Sequence, residues 1–240
     1  MAYSQITPVV GQVQQGYFYV PDTIQREILG TVIPGVDNYY GFGEFMYVQV
    51  PASTPITQGQ VVSISGFGGP AGSSASVAAN TANTGRGIAV AINAFASVAS
   101  VQYGWVQIAG AAVIKATSSV AAGSPFGIDV TTGGSVSAAS SGRQVMNAVT
   151  LAPSTFAVTK AAVLVNGQPF ITVPNVDGVV VGFTVSGTGV SGTVIAIDPN
   201  SRLVTLSANS TAGGNSSVTF TATGFIVGQI NRSFAQGQIT

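Results

Sequence analysis

The chain contains no His and no Cys among its 240 residues, and only seven Asp or Glu. These absences exclude His-based catalytic triads, thiol nucleophiles and zinc sites with their usual ligands. The acids are scattered, and only Asp22/Glu27 and Asp37/Glu44 lie close in sequence, so neither a calcium cage nor a glycosidase pair is indicated. We therefore predict that the protein is not an enzyme and has no catalytic, cofactor-binding or metal-binding residues.

Charge of either sign is also scarce, since seven Lys or Arg balance the seven acids and charged residues make up 6% of the chain. A neutral chain has no electrostatic field to attract phosphates, which argues against nucleic acid or an anionic membrane as a partner. A free soluble domain has about 25% charged residues. The low charge therefore predicts that other subunits cover much of the surface.

Long apolar runs of membrane-helix type are missing as well. The longest charge-free apolar stretch, residues 87–114, is interrupted by Asn93, Gln102 and Gln107, and it fits two or three strands better than a membrane span. The first twenty residues contain no Lys or Arg and no apolar run of signal-peptide length. We therefore expect synthesis in the cytoplasm without export.

What the sequence has is β-strand character. Val, Ile, Thr, Phe and Tyr recur in short runs separated by Gly, Ser, Asn or Pro about every ten residues, which predicts an all-β fold of antiparallel sandwich or barrel type. Several strands are apolar on both faces, so we expect another subunit to contact one of the faces. The predicted strands are 44–50, 60–65, 87–92, 101–108, 111–116, 126–130, 144–151, 179–186, 193–198, 203–208 and 218–222, the last four as an antiparallel meander.

The first 40 residues differ from the rest, because they are rich in Gln and show no regular alternation. We interpret residues 1–40 as an extended N-terminal arm, with the alternative that this segment folds back on its own domain. Only Asp22–Leu29 could form a helical turn, with Asp22 as its N-cap. Aromatic residues concentrate interface energy, and the candidate interface residues are Tyr17, Phe18, Tyr19, Arg26, Tyr39 and Tyr40.

Two stretches carry a resemblance to a known family. Residues 86–92 (RGIAVAI) and 102–113 (QYGWVQIAGAAV) resemble a motif of tailed-bacteriophage head decoration, or cement, proteins, and the likeness spans roughly residues 40–152. The closing segment Phe225–Phe234 is similar to the last strand of that family, where Pro is common at the place of Ser233. Residues 156–224 depart from the shorter family members and are similar to small β-repeats of phage and bacterial surface proteins.

The resemblance implies a main capsid-binding β domain formed by residues 41–155 and 225–240, with residues 156–224 as a second, inserted β domain. It implies a structural virion protein that binds the outer surface of an assembled phage head. Its partners would be the major capsid protein, whose neighbouring subunits it clamps, and further copies of itself in a homotrimer. It transfers no catalytic residues and no cofactor.

A second function remains open from the sequence. The protein could be a glycan- or receptor-binding surface module, such as a tail-spike or adhesin-like β domain, that uses the inserted domain to hold its ligand. The single tryptophan, Trp105, could stack on a sugar, although one aromatic residue within an apolar strand is more typical of a core.

Overall fold

The computed structural model describes residues 4–5 (backbone only), 20–37, 39–66, 73–96, 98–152 and 155–237. These residues form β-strands, turns and loops, which confirms the predicted all-β class, and none of them forms a helix that could cross a membrane. The strands are β1 Ser4–Gln5, β2 Val32–Asp37, β3 Gly41–Val50, β4 Val61–Ser65, β5 Ser74–Val77, β6 Gly87–Ala91, β7 Gln102–Lys115, β8 Phe126–Ile128, β9 Val136–Ala138, β10 Val145–Ala152, β11 Phe156–Leu164, β12 Phe170–Thr172, β13 Thr184–Gly187, β14 Val190–Asp198, β15 Leu203–Leu206, β16 Gly214–Ala222 and β17 Phe225–Ala235.

The strands belong to two compact units. The barrel unit consists of residues 155–223, and the sheet unit consists of the described residues of 3–154 and 224–240. The chain leaves the sheet unit after β10 and returns to it at β17. These two strands are hydrogen-bonded neighbours, so residues 155–223 are inserted between adjacent strands of the sheet unit.

The barrel unit is a closed ring of six antiparallel strands in the order β11-β12-β15-β14-β13-β16. Its strands alternate as a single interior requires: on β16, Val218, Phe220 and Ala222 are buried, whereas Thr219 and Thr221 between them are partly exposed. Cross-strand pairing of this kind places every inward side chain in one apolar core.

The strand predicted over 179–186 is wrong in its first half. The chain turns at Val179–Gly182, where Val179 and Val180 are buried and Gly182 has a φ of 99°, and β13 begins only at Thr184. A left-handed residue interrupts a strand, and glycine adopts that conformation readily. The apolar run therefore fills the core of the barrel unit from a turn.

The sheet unit has nine paired strands in the order β1-β2-β3-β5-β4-β6-β7-β17-β10. Because β3 also pairs with β7, strands β3, β5, β4, β6 and β7 close into a ring, and β17 and β10 extend the sheet from β7. The short hairpin β8–β9 forms a separate two-stranded sheet.

Strands β4 and β6 separate two apolar cores formed by the described residues of the sheet unit. On β4, Val61 belongs to one core and Val62 to the other, and on β6 Val90 and Ala89 divide in the same way. Strands shared by two cores are apolar on both faces. The expectation that another subunit contacts one face of such strands is therefore wrong for β4 and β6, since the chain itself buries both faces.

Strand β7 is one strand of 14 residues where the sequence predicted two. Opposite β3, it accommodates one extra residue, Ile108, between the Glu44–Ala109 and Phe45–Gln107 pairs. Such a bulge bends a strand without ending it. Val106 and Ile108 lie in the core that contains Val62, and Ala112 and Ile114 lie in the core that contains Val61.

The predicted helical turn over Asp22–Leu29 is wrong. Asp22 pairs with Tyr103 through two backbone hydrogen bonds of 2.9 and 2.7 Å, so the segment starts as an isolated β-bridge to β7. The amide of Arg26 donates to the Tyr47 hydroxyl at 3.0 Å instead of an intrahelical carbonyl. Asp22 therefore caps no helix, and its Oδ1 accepts a hydrogen bond from the Ile24 amide at 3.1 Å in a local turn.

The last part of the predicted arm is a strand of the sheet unit. Val32–Asp37 forms β2, which pairs with β3 along its whole length and with β1 at Gly35 and Val36. For these residues the alternative, a segment folded on its own domain, is the one found.

Candidate protein-interaction surface

Strand β2 alternates with inverted polarity. Ile33, Gly35 and Asp37 are buried, although one is a glycine and one an acid, whereas Val32 and Pro34 are exposed. Strands of a soluble sheet normally turn their apolar side chains inward and their polar side chains outward. This strand therefore presents apolar side chains to the outside.

Strand β3 continues the same surface. Phe42 pairs with Val36 across the hairpin, and its side chain is 70% exposed. We call Val32, Pro34, Val36 and Phe42 the hairpin face. It is a set of outward apolar side chains on two paired strands, and Glu44, which pairs with Pro34, lies on the same face.

Asp37 fixes the tip of this hairpin. The carboxylate of this fully buried residue accepts hydrogen bonds from the amides of Tyr39 at 2.8 Å and Tyr40 at 2.9 Å. The two tyrosine rings make an edge-on contact at 5.0 Å. Burial, with a further contribution from the negative charge of Asp37, raises the pKa of the Tyr40 hydroxyl far above its usual value. Asp37 therefore holds Tyr39 and Tyr40 in place, and Tyr39 stays half exposed.

An apolar cleft of about 270 Å³ adjoins the hairpin face. Val32 belongs to both. The cleft is lined by strands β2, β3, β6, β7 and β17 through Val32, Met46, Gly87, Ile88, Ile108, Arg232, Ser233 and Phe234. The volume is slightly below the usual range for small-molecule pockets, about 300–1,000 Å³.

A bulge in β17 forms one wall of the cleft. Between the Met146–Phe234 and Ala148–Ile230 pairs, β17 has three residues where β10 has one. The hydroxyl of buried Ser233 holds the bulge together, accepting from the Asn231 amide at 3.2 Å and donating to the Asn147 carbonyl at 3.0 Å. After the bulge, Phe234 pairs with Gly87 of β6, so β17 passes from β7 to β6 at the cleft.

Arg232 lies at the centre of that bulge with a φ of 44°, which non-glycine residues rarely adopt. Its Nε donates to Glu44 Oε2 at 3.0 Å. The side chains are 67% and 41% exposed, so the pair contributes only about 0–1 kcal/mol to stability. The bulge thus places a guanidinium at the edge of an apolar cleft.

The six predicted interface residues do not form one cluster among the described residues. Tyr17, Phe18 and Tyr19 lie outside the described residues. Arg26 is bound to Asp22 by an ion pair of 2.7 Å, and that arginine and hydrogen bonds from the amides of Ile24 and Thr23 lower the pKa of the Asp22 carboxyl. Tyr39 and Tyr40 lie at the tip of the hairpin.

The residues that the sequence did not single out are the hairpin face itself, Phe234 and Arg232. Among the described residues, half of the exposed large apolar side chains fall within 20–42: Val20, Ile24, Ile28, Val32, Tyr39 and Phe42. An exposed contiguous apolar patch is typical of an interaction site. One signal in the sequence could have indicated this surface: residues 20–42 contain many apolar residues but show no regular alternation of apolar and polar residues.

The residues of the family-like motif serve the fold. Trp105 is fully buried against Tyr47, with ring centroids 5.1 Å apart, so its indole faces no ligand. Buried Gln107 donates from Nε2 to the carbonyls of Ala109 at 3.1 Å and Ala111 at 3.0 Å, which stabilises the β7 bulge. Gly110, with a φ of 102°, lies against the backbone of β3, where a Cβ would collide with the Phe42 carbonyl oxygen.

The acids of the described residues do not converge. No group of three or more Asp or Glu there could hold a metal ion. Asp129 is buried. The Thr117 and Thr131 hydroxyls, together with the Thr131 and Thr132 amides, donate to its carboxylate and hold its pKa well below the ordinary value.

Comparison with known proteins identifies no relative. No family model, no curated protein and no solved structure matches the chain.

Proposed function

We propose that this protein is a capsid decoration protein, which binds the outer surface of a phage head and stabilises it by clamping neighbouring major capsid subunits. The observation that supports this most is the hairpin face, where apolar side chains of two paired strands point outward. The proposal also includes assembly as a homotrimer and a location on the virion.

Binding would bury the hairpin face against the capsid. Val32, Pro34, Val36 and Phe42 would supply the apolar contacts, and the Glu44–Arg232 ion pair on the same face would lie among them. Stable interfaces bury about 1,600 Å² in total, so several such contacts in one trimer would hold adjacent capsid subunits together.

The proposal does not require chemistry. The resistance of a decorated head to internal pressure would come from the added interface area, because each bound copy must be removed before the subunits beneath it can separate. The low charge of the chain fits a surface that is covered on the particle.

The direct test uses expanded heads that lack decoration protein. We expect the purified protein to sediment with these heads and to raise their thermal stability. Phe42→Thr should weaken binding about 30-fold, because loss of a central aromatic contact costs about 2 kcal/mol. Absence of both binding and head stabilisation by the unaltered protein would overturn the proposal.

The matched control is Val163→Thr in the barrel unit, at a valine that is 49% exposed on β11. This variant should bind heads as the unaltered protein does. Equal weakening by Phe42→Thr and Val163→Thr would remove the hairpin face from the proposal, and a monomer on the head would remove the trimer.

A further inference from the structure

The cleft beside the hairpin face has two chemically different parts. Its walls are apolar, and Met46, Ile88 and Ile108 line it from three different strands. Its edge is formed by the bulge that contains Arg232. Any group that fills the cleft must therefore be apolar and must also lie next to a guanidinium.

Arg232 is only partly used by the protein. Nε is engaged by Glu44, and the described residues offer no acceptor to the two Nη groups. A guanidinium has five N–H donors, and the two Nη groups can bind one carboxylate in a bidentate manner. The exposed end of Arg232 is thus a carboxylate-binding fork whose orientation Glu44 constrains through Nε.

Backbone conformation supports a role for this residue. A φ of 44° is unfavourable for an arginine and persists only where the surroundings hold it, and such strain concentrates at functional sites. Here the Ser233 hydroxyl and the Asn147 carbonyl hold the bulge. The fold thereby maintains a conformation whose effect is to place Arg232 at the cleft.

We infer that the cleft recognises an extended segment of the capsid subunit in which an apolar side chain stands next to an Asp or Glu. The apolar side chain enters the cleft between Met46, Ile88 and Phe234, and the neighbouring carboxylate binds the Nη groups of Arg232. The volume of about 270 Å³ suits one large side chain better than a cofactor. The identity of the partner rests on the proposed function, whereas the chemistry of the cleft does not.

The first experiment tests that chemistry without phage heads. Full-length protein labelled with ¹³C at its methionine methyl groups has only three such signals, and Met46→Leu identifies the one in the cleft. The probes are N-acetyl-leucyl-glutamyl amide and its neutral glutaminyl counterpart. We expect the Met46 signal to shift at about five-fold lower concentration of the glutamyl probe, since an exposed ion pair contributes up to about 1 kcal/mol.

Arg232→Gln should abolish this preference and make the two probes equivalent. The control is Arg202→Gln in the barrel unit, because Arg202 is also exposed and has a positive φ of 57°. It should leave the preference intact. No shift of the Met46 signal with either probe, or equal response to both in the unaltered protein, would overturn the inference.

The second experiment uses expanded heads. Arg232→Gln should weaken head binding about five-fold at low salt, with a smaller difference at high salt, and Arg202→Gln should not. If Arg232→Gln binds heads as tightly as the unaltered protein while Phe42→Thr does not, the cleft inference falls and the decoration proposal stands. If the unaltered protein fails to bind heads, the decoration proposal falls, and the dipeptide titration still decides the chemistry of the cleft.

Discussion

The two units of this chain place their apolar residues in different ways, although both are rich in Val, Ala, Thr, Ser and Gly. The barrel unit closes around one interior, and many of its outward positions carry Thr or Ser, although Val163, Val165 and Ile195 are also exposed. One row of outward side chains crosses four neighbouring strands as Thr159, Thr219, Ser186 and Ser191. Such a surface is polar without being charged.

The sheet unit departs from this scheme twice. Its strands β4 and β6 are buried on both faces because two cores share them, and its hairpin β2–β3 turns Val32, Pro34 and Phe42 outward. The difference teaches that low charge has separate causes in the two units: hydroxyls replace charges on the barrel unit, whereas apolar side chains replace them on the hairpin face. Only the second arrangement calls for a partner that covers it.

Fluorescence can separate the two units, because the single tryptophan and all seven tyrosines precede residue 106. Unfolding followed through Trp105 therefore reports on the sheet unit. Amide hydrogen exchange of peptides from residues 156–222 reports on the barrel unit, since protection measures the free energy of local or global opening.

The largest effect is expected from Gly110→Ala, which attacks the bulge where β7 passes between the two cores. A Cβ there would meet the Phe42 carbonyl oxygen and would lie 2.8 Å from the Gly43 Cα, at a φ of 102°. A left-handed alanine costs about 1–2 kcal/mol and overpacking a further 1–3 kcal/mol, so we expect a loss of about 3 kcal/mol in denaturant unfolding followed by Trp105. Protection of the barrel unit should not change.

The control is Gly41→Ala at the start of β3, where φ is 87° and nothing lies within 4 Å of the added Cβ. It should show only the conformational cost of about 1–2 kcal/mol. Equal destabilisation by the two substitutions would mean that the close approach of β7 to β3 contributes nothing.

A second prediction concerns the buried amide that stabilises the same bulge. Gln107→Met keeps the length of the side chain but removes the donor to the Ala109 and Ala111 carbonyls. Leaving a buried polar group without its partner costs about 1–3 kcal/mol, and we expect about 2 kcal/mol in the unfolding free energy of the sheet unit. A loss below about 0.5 kcal/mol would show that other groups replace the amide.

Much of the barrel unit could be predicted from the sequence, because a single core imposes strict alternation on each strand. The strands at 193–198, 203–208 and 218–222 were predicted near their observed positions for this reason. The turn at Val179–Gly182 was missed because an apolar run buried in a turn has the same composition as a strand. Tertiary packing, not local propensity, decides between the two.

The candidate site could not be predicted in this way. On β2, Gly35 and Asp37 are buried whereas Val32 and Pro34 are exposed. The hydropathy pattern of this strand therefore does not indicate which face is inside. Because glycine is typical of turns, the sequence predicted that one strand ends before Gly110 and another begins after it, although both belong to β7. The cleft depends on a bulge that brings Arg232 beside Glu44, 188 residues away in sequence, and no local signal encodes that contact.

A third prediction compares two aspartates, one in each unit, as the pH falls. Hydroxyl donors, above all Thr117, hold the pKa of buried Asp129 well below its ordinary value of 3.8, so the folded sheet unit binds fewer protons than the unfolded chain. Its stabilisation is complete above about pH 4 and is lost as the pH falls further. The pKa of Asp198 in the barrel unit is also lowered, first by the Ser201 hydroxyl, but this side chain is exposed and water competes for its bonds.

We therefore expect acid to destabilise the sheet unit first. Trp105 fluorescence at fixed denaturant should report a falling unfolding free energy between pH 4 and pH 2, and Asp129→Asn should flatten that dependence. Asp198→Asn should change the acid sensitivity of the barrel unit much less. An Asp129→Asn protein with an unchanged acid profile would show that other carboxyls cause the acid sensitivity.

The smallest effect is expected from Thr159→Val on the hydroxyl row of the barrel unit. The Thr159 and Thr219 hydroxyls are 3.0 Å apart in an exposed position, where water can replace the bond that is lost, and valine keeps the branched shape that suits a strand. Protection of peptides from 156–222 should change by less than about 0.5 kcal/mol.

The same substitution at Thr117 in the sheet unit removes a 2.6 Å donor to buried Asp129 and should cost about 1.5–3 kcal/mol, because hydrogen bonds to charged groups are stronger. Equal losses of stability at Thr159 and Thr117 would mean that the surface hydroxyls stabilise the fold of the barrel unit. They would then do more than provide an uncharged polar surface.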